Sequence, residues 1–183
     1  MSDAEADADG DEGTTDVDAT ARDAGGPEDP LVEVVRASGH EHVSATHPST
    51  FELTTDDWLT PAGDCIVGVA ADRAPRDFSS AFREACRNAT ATIAATIAVG
   101  EPGAASVDLA DPAHVDEVVG RGDPDLTLLD DRSMVGRTSG YTDDERTILV
   151  DGDSAAADFD RDLVSALADG APVALRLDVA RDE

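Results

Sequence analysis

The chain comes close to saying the same thing twice. The stretch from Gly39 to Phe82 returns about eighty residues later, from Gly122 to Leu163, with turn residues, apolar alternation and helix signal in the same order. Gly39, Val43, His47 and Trp58 stand 83 positions before Gly122, Leu126, Asp130 and Tyr141; Asp72, Asp77, Phe78 and Phe82 stand 81 before Asp153, Asp158, Phe159 and Leu163. A hairpin loop shorter by two residues accounts for the change of offset. Repetition on this scale predicts a duplicated supersecondary unit. Half of 183 residues builds too small a core to stand alone, so the two copies are expected to pack together.

The expected organisation is an acidic, disordered tail over residues 1–30 followed by a single duplicated domain over 31–181. Repeat one covers about 39–110 and repeat two about 122–180. The tail is Asp, Ala, Gly, Glu and Thr with almost nothing to bury, and it has neither the basic start nor the apolar centre of a signal peptide. No later apolar run reaches the ~18 residues a membrane helix needs. A soluble, cytoplasmic protein is expected, and its two cysteines, Cys65 and Cys86, are expected to be reduced thiols.

Charge speaks about solvent rather than about a partner. A formal net charge of −28, with Asp far in excess of Glu and no lysine, fits a salt-rich cytoplasm, where short carboxylates stay hydrated and their mutual repulsion is screened. The same salt removes the counterion-release gain behind phosphate-backbone binding. One Trp and one Tyr leave little for base stacking, so nucleic acid is not an expected partner.

Along the chain, Leu31 to Arg36 reads as a lead-in strand, and His42 to Thr46 and Ser49 to Thr54 as two more split by His47-Pro48. Cys65 to Ala71 reads as a buried strand. Asp77 reads as an N-cap for a helix presenting Phe78, Ala81, Phe82, Ala85 and Cys86 on one face, followed by strands at Ile93 to Val99 and Ser106 to Leu109. The second copy gives strands at Leu126 to Leu129, Met134 to Thr138 and Thr147 to Asp151. A helix capped by Asp158 follows, then a last strand from Val173 to Val179. The predicted class is α+β and strand-rich, with two β-β-β-α-β units related by a pseudo-two-fold axis in one barrel-like or sandwich-like domain.

Gly39-His40-Glu41-His42-Val43-Ser44-Ala45-Thr46-His47-Pro48 and Gly63-Asp64-Cys65-Ile66-Val67-Gly68-Val69, with Gly120-Arg121-Gly122-Asp123-Pro124 and Ser133-Met134-Val135, carry a family resemblance. Over essentially Val32 to Val179 the chain resembles the uncharacterised archaeal family called domain of unknown function 371. The resemblance implies an archaeal source and no catalytic residue. It also implies a second His-Pro pair where this chain has Asp130-Asp131, so a role needing a histidine from each half is not expected to survive here.

Three groups of side chains have chemistry to offer. On a strand, His40 and His42 would face one way and present two imidazoles to a metal, with His47, Asp64 or Cys65 completing the set; the alternative is local hydrogen bonding at a loop end. Cys65 with His47 as base is a candidate nucleophile, and Asp64 a candidate base, against a structural Gly63-Asp64 turn. Arg137, Thr138, Ser139, Arg146 and Thr147 are candidates for an anion pocket, against surface ion pairing. No cofactor is clearly implied. Two functions follow: a non-catalytic binding module for a small anionic ligand or a protein partner, or a small hydrolase or transferase acting on a phosphorylated or carboxylated metabolite through His47, Asp64 and Cys65. Convergence of these residues and Arg146 on one concave pocket would favour the enzyme.

Overall fold

The structure is a computed structural model that describes residues 31–182; residues 1–30, read above as an acidic tail, lie outside the described residues. Strands Leu31–Ser38 (β1), Thr50–Thr54 (β2) and Ile66–Gly68 (β3) are followed by helix Ser80–Cys86 (α1) and strand Ala91–Val99 (β4). Strands His114–Arg121 (β5), Ser133–Arg137 (β6) and Thr147–Leu149 (β7), helix Arg161–Ala168 (α2) and strand Pro172–Arg181 (β8) complete it. The class is α+β and strand-rich. One four-stranded sheet runs β1-β8-β4-β5 with every pair antiparallel, and the other runs β3-β2-β6-β7, antiparallel at its centre and parallel at both edges.

The strands do not close into a barrel. The sheets remain separate and are joined at their margins by two isolated bridges, Ser38 with Val69 and Arg121 with Val150. Between them lies an apolar cluster drawn from both sheets and both helices, including Ile93, Leu175, Phe51, Met134, Phe82 and Leu163. Period-two alternation builds the strands of this core: Ile93, Ala95, Ile97 and Val99 of β4 and Val173, Leu175, Leu177 and Val179 of β8 all point inward.

The two halves present matching geometry. The bounds of β1 and β5, and of β2 and β6, differ by 83, while those of β3 and β7 differ by 81. Asp72 Oδ1 accepts from Arg36 N at 2.9 Å, and Asp153 Oδ1 accepts from Val119 N at 3.0 Å. The His47 carbonyl accepts from Ala157 N at 3.0 Å and the Asp130 carbonyl from Arg76 N at 3.1 Å, so each half binds the other by the same bond. Four non-glycine residues occupy the left-handed region, Ala45 (φ 46°) with Leu128 (φ 53°) and Ala70 (φ 53°) with Asp151 (φ 51°), again spaced by 83 and 81.

Several elements differ from the sequence reading. His42 to Thr46 and Leu126 to Leu129 are not strands. Val43, Ala45, Leu126 and Leu128 are buried from irregular segments turned by Ala45 and Leu128, so their alternation reports burial without ladder pairing. Ser106 to Leu109 is a covering segment whose Val107 packs on Ala98 and Ala174. β5 carries no apolar alternation in the sequence because its inward residues include Asp116 and Gly120. Asp116 accepts from Asp160 N at 2.7 Å, and a Cβ on Gly120 would lie 2.8 Å from a Leu149 methyl. The helices start later than Asp77 and Asp158. Those carboxylates accept from Ala74 N (3.0 Å) and Ala155 N (2.9 Å) to close short 3-10 turns; Ser79 and Asp160 then cap α1 and α2. Phe78 and Phe159, extended at ψ 151° and 146°, separate turn from helix in both halves. Among the described residues no helix is long and apolar enough to cross a membrane.

Candidate functional site

Alternation along β2 buries Phe51 and Leu53 and turns Thr50 and Glu52 to the opposite face of the second sheet. Glu52 pairs with Val135 at the middle of the β2–β6 ladder. From it a polar chain spreads across both halves. Cys65 Sγ donates to Glu52 Oε2 at 3.3 Å, and Arg146 Nη1 lies 3.6 Å from Glu52 Oε1. Arg146 Nε lies 3.5 Å from Asp144 Oδ2, which also accepts from Arg137 Nη2 at 2.6 Å.

The expected anion donors are largely committed to partners inside this chain. Arg137 Nε donates to Thr147 Oγ1 at 2.8 Å, and the Arg137 guanidinium stands 4.8 Å from the centroid of the Tyr141 ring. Thr147 Oγ1 donates to Asp144 Oδ1 at 2.7 Å, and Thr138 Oγ1 to the Ser49 carbonyl at 3.2 Å. Ser139 Oγ accepts from Tyr141 N at 3.4 Å. Burial alone would raise the Asp144 carboxyl; the Thr147 hydroxyl and amide and the Arg137 guanidinium together outweigh it and hold the group below its ordinary value. Arg146 differs from Arg137. Its side chain is 44% exposed and is held by two ion pairs at 3.5 and 3.6 Å, beyond good hydrogen-bond length.

His40 and His47 take turn-making roles. His40 and His42 sit in a turn, with ring centroids 5.3 Å apart and His42 N donating to His40 Nδ1 at 3.1 Å. His47 Nδ1 accepts from Ser49 N (3.2 Å) and Thr50 N (3.1 Å), which places the ring proton of the neutral form on Nε2. Asp130 does the same work in the other half, its Oδ2 accepting from Arg132 N (3.0 Å) and Ser133 N (2.7 Å). Imidazole and carboxylate are interchangeable acceptors there, which explains how Asp130 can stand where a His-Pro pair was expected. Among the described residues no group of three or more His, Cys, Asp and Glu is placed to hold a metal ion.

The proposed reactive centre lacks an activated group. Burial first and the Glu52 charge second push the Cys65 thiol up to about 12, so it stays protonated near neutrality. Asp64 acts through its backbone, its carbonyl accepting from Thr46 N (2.9 Å) and His47 N (3.1 Å).

A cleft of about 310 Å³ opens on the same face, lined among others by Glu52, Asp56, Trp58, Leu59, Arg132 and Arg146. Of the residues singled out from sequence only Arg146 lines it; His47, Asp64 and Cys65 do not. Arg132 Nε donates to Asp56 Oδ2 at 2.8 Å. Trp58 (57% exposed) and Tyr141 (49%), the sole Trp and Tyr of the chain, are the aromatic pair spaced by 83. That spacing was the available signal for Trp58; Asp56 and Arg132, 76 residues apart, had none.

Over 137 residues the chain is 36% identical to an uncharacterised protein of Methanocaldococcus jannaschii, MJ0206, covering 75% of this chain and 91% of that one. Residues 35–180 match the family described as Domain of unknown function (DUF371), and the chain belongs to that family.

Proposed function

We propose that the protein is a non-catalytic binding module, with its docking site on the face of the second sheet that carries Trp58 and Arg146. What carries the reading is how the reactive candidates are already engaged and where they lie relative to the cleft. His47 is occupied as a turn acceptor, Asp64 contributes a carbonyl, Cys65 is a protonated thiol, and the Trp58 cleft is lined by none of them. The hydrolase or transferase alternative was built on His47, Asp64 and Cys65, and none of these lines that surface. The same reading takes residues 31–181 as one duplicated domain, its axis passing through the Glu52–Val135 pair, working in the cytoplasm of a salt-rich archaeal cell.

Mapping by amide NMR tests it. Titration with a metabolite extract is expected to shift the amides of Trp58, Arg132 and Arg146 while leaving the compounds chemically unchanged. Shifts centred on His47 and Cys65, with a compound consumed, would reverse the assignment.

A further inference from the structure

We propose that the Trp58 cleft is a site for a small carboxylate carried on a flat apolar group, with Arg146 as the principal carboxylate donor. This rests on the binding-module reading and adds the chemistry of the ligand. Among the ion-paired side chains of the cleft, the cations are the accessible partners. Arg132 is 60% exposed and Arg146 44%, while the carboxylates they pair with, Asp56 and Glu52, are 26% and 13% exposed. The carboxylate oxygens are also engaged from within: Glu52 Oε2 by the Cys65 thiol, Asp56 Oδ2 by Arg132, and Asp130 Oδ2 by two backbone amides. A ligand entering the cleft therefore meets guanidinium N–H groups first. Arg146, loosely held at 3.5 and 3.6 Å, can turn a face of its fork to an incoming carboxylate at the geometry the two groups share.

The apolar half of the site is the exposed indole of Trp58 beside Leu59 and Ile66. A volume of about 310 Å³ sits at the small end of ligand sites. Charge decides between anions. Two guanidiniums against Glu52, Asp56 and Asp130 leave the lining one charge negative, so a monoanion pays less repulsion than a phosphate dianion.

The counterpart cleft of the other half is filled by its own residues. Gly63 lines the open cleft, and the position 81 residues on is Asp144, whose carboxylate draws Arg137 to 2.6 Å beneath the Tyr141 ring. A Cβ on Gly63 would stand 2.6 Å from the Leu59 methyl, so a side chain there would displace Leu59 of the cleft lining. One site per chain follows.

Trp58 is the only tryptophan, so its fluorescence reads this cleft alone. Titration of the full chain with benzoate is expected to give a saturable change at millimolar concentrations. Benzamide and phenyl phosphate should each bind about tenfold more weakly or worse, the span of one charge-assisted hydrogen bond. Arg146→Gln should lower benzoate affinity by a similar factor with the circular dichroism spectrum unchanged, and Gly63→Asp should abolish the response. Because Gly63→Asp could also disturb the loop, Asp144→Gly supplies an independent reading by equilibrium dialysis: two benzoates bound per chain are expected, and a stoichiometry of one overturns the account of the counterpart cleft. A response to benzamide equal to that of benzoate, no response to benzoate, or full affinity in Arg146→Gln overturns the proposal. The NMR mapping still reports whether the module binds anything, so failure of the ligand class and failure of the binding reading are separate results.

Discussion

Gly39 and Gly122 offer a quantitative check on how the two halves interlock. A Cβ added to Gly39 would collide with the backbone of Leu167 in the last turns of α2, lying 2.8 Å from its Cα; one on Gly122 would collide with the Cys86 and Asn88 carbonyls at the end of α1. Each half thus presses a glycine against the closing turn of the other half's helix. The obstacle is backbone, which cannot rotate away as a side-chain tip can, so overpacking belongs toward the upper part of its usual range of roughly 1–3 kcal/mol. Restriction of the unfolded chain by alanine returns about 0.4–1 kcal/mol. Gly39→Ala and Gly122→Ala should therefore each cost about 2 kcal/mol. Gly140→Ala is the control, since the nearest atom to its added Cβ is Asp151 Oδ1 at 3.7 Å, and it should fall within about 0.5 kcal/mol of the parent. The assay is denaturant unfolding at one fixed salt concentration, because a net charge of −28 makes stability depend on ionic strength. If either glycine variant matches the Gly140 control, the close approach of helix and glycine is not what the geometry says, and the paired interlock fails with it.

The thiols and Asp144 give two further tests. Cys65 and Cys86 are both pushed up to about 12, chiefly by burial, so iodoacetamide near neutral pH should label the native chain at least about tenfold more slowly than the unfolded one; Glu52→Gln should speed Cys65 alone. Equal rates in native and unfolded chains would contradict the burial of both sulfurs. The depressed carboxyl of Asp144 contributes stability that is complete above the ordinary carboxylate value of about 4 and is lost as pH falls through its lowered native value. The stability gap between the parent and Asp144→Asn should accordingly shrink in acid, and a gap that is constant or widens as pH drops would refute the assigned network.

How far the sequence could be read depended on what its patterns report. Repeat spacing located both helices, the central strands and the aromatic pair, whose positions recur at 81 or 83 residues even where residue types change. Alternation misled at Val43 and Ala45 and at Leu126 and Leu128, where a left-handed residue buries apolar side chains from a loop. It was silent for β5, whose inward Asp116 satisfies a helix-end amide. An Asp before a helix signal predicts the caps at 77 and 158, but the two-step entry through a 3-10 turn and an extended phenylalanine places them at Ser79 and Asp160. At the site, Arg146 was visible as a donor from the difference between the repeats. His47 and Cys65 looked reactive because residue type carries reactivity, while the hydrogen bonds that quiet them depend on Ser49, Thr50 and Glu52 in three dimensions. The cleft itself joins Asp56 to Arg132 across the two halves, a pairing that local spacing does not encode.

The claim that the protein binds without chemistry is tested most directly by incubating it with a cell extract and following every small molecule by mass spectrometry over time. The account predicts a carboxylated compound that is retained by the parent protein, lost by Arg146→Gln and recovered unaltered on denaturation. A compound that disappears as a product accumulates, with the conversion lost in Cys65→Ser or His47→Gln, would contradict it.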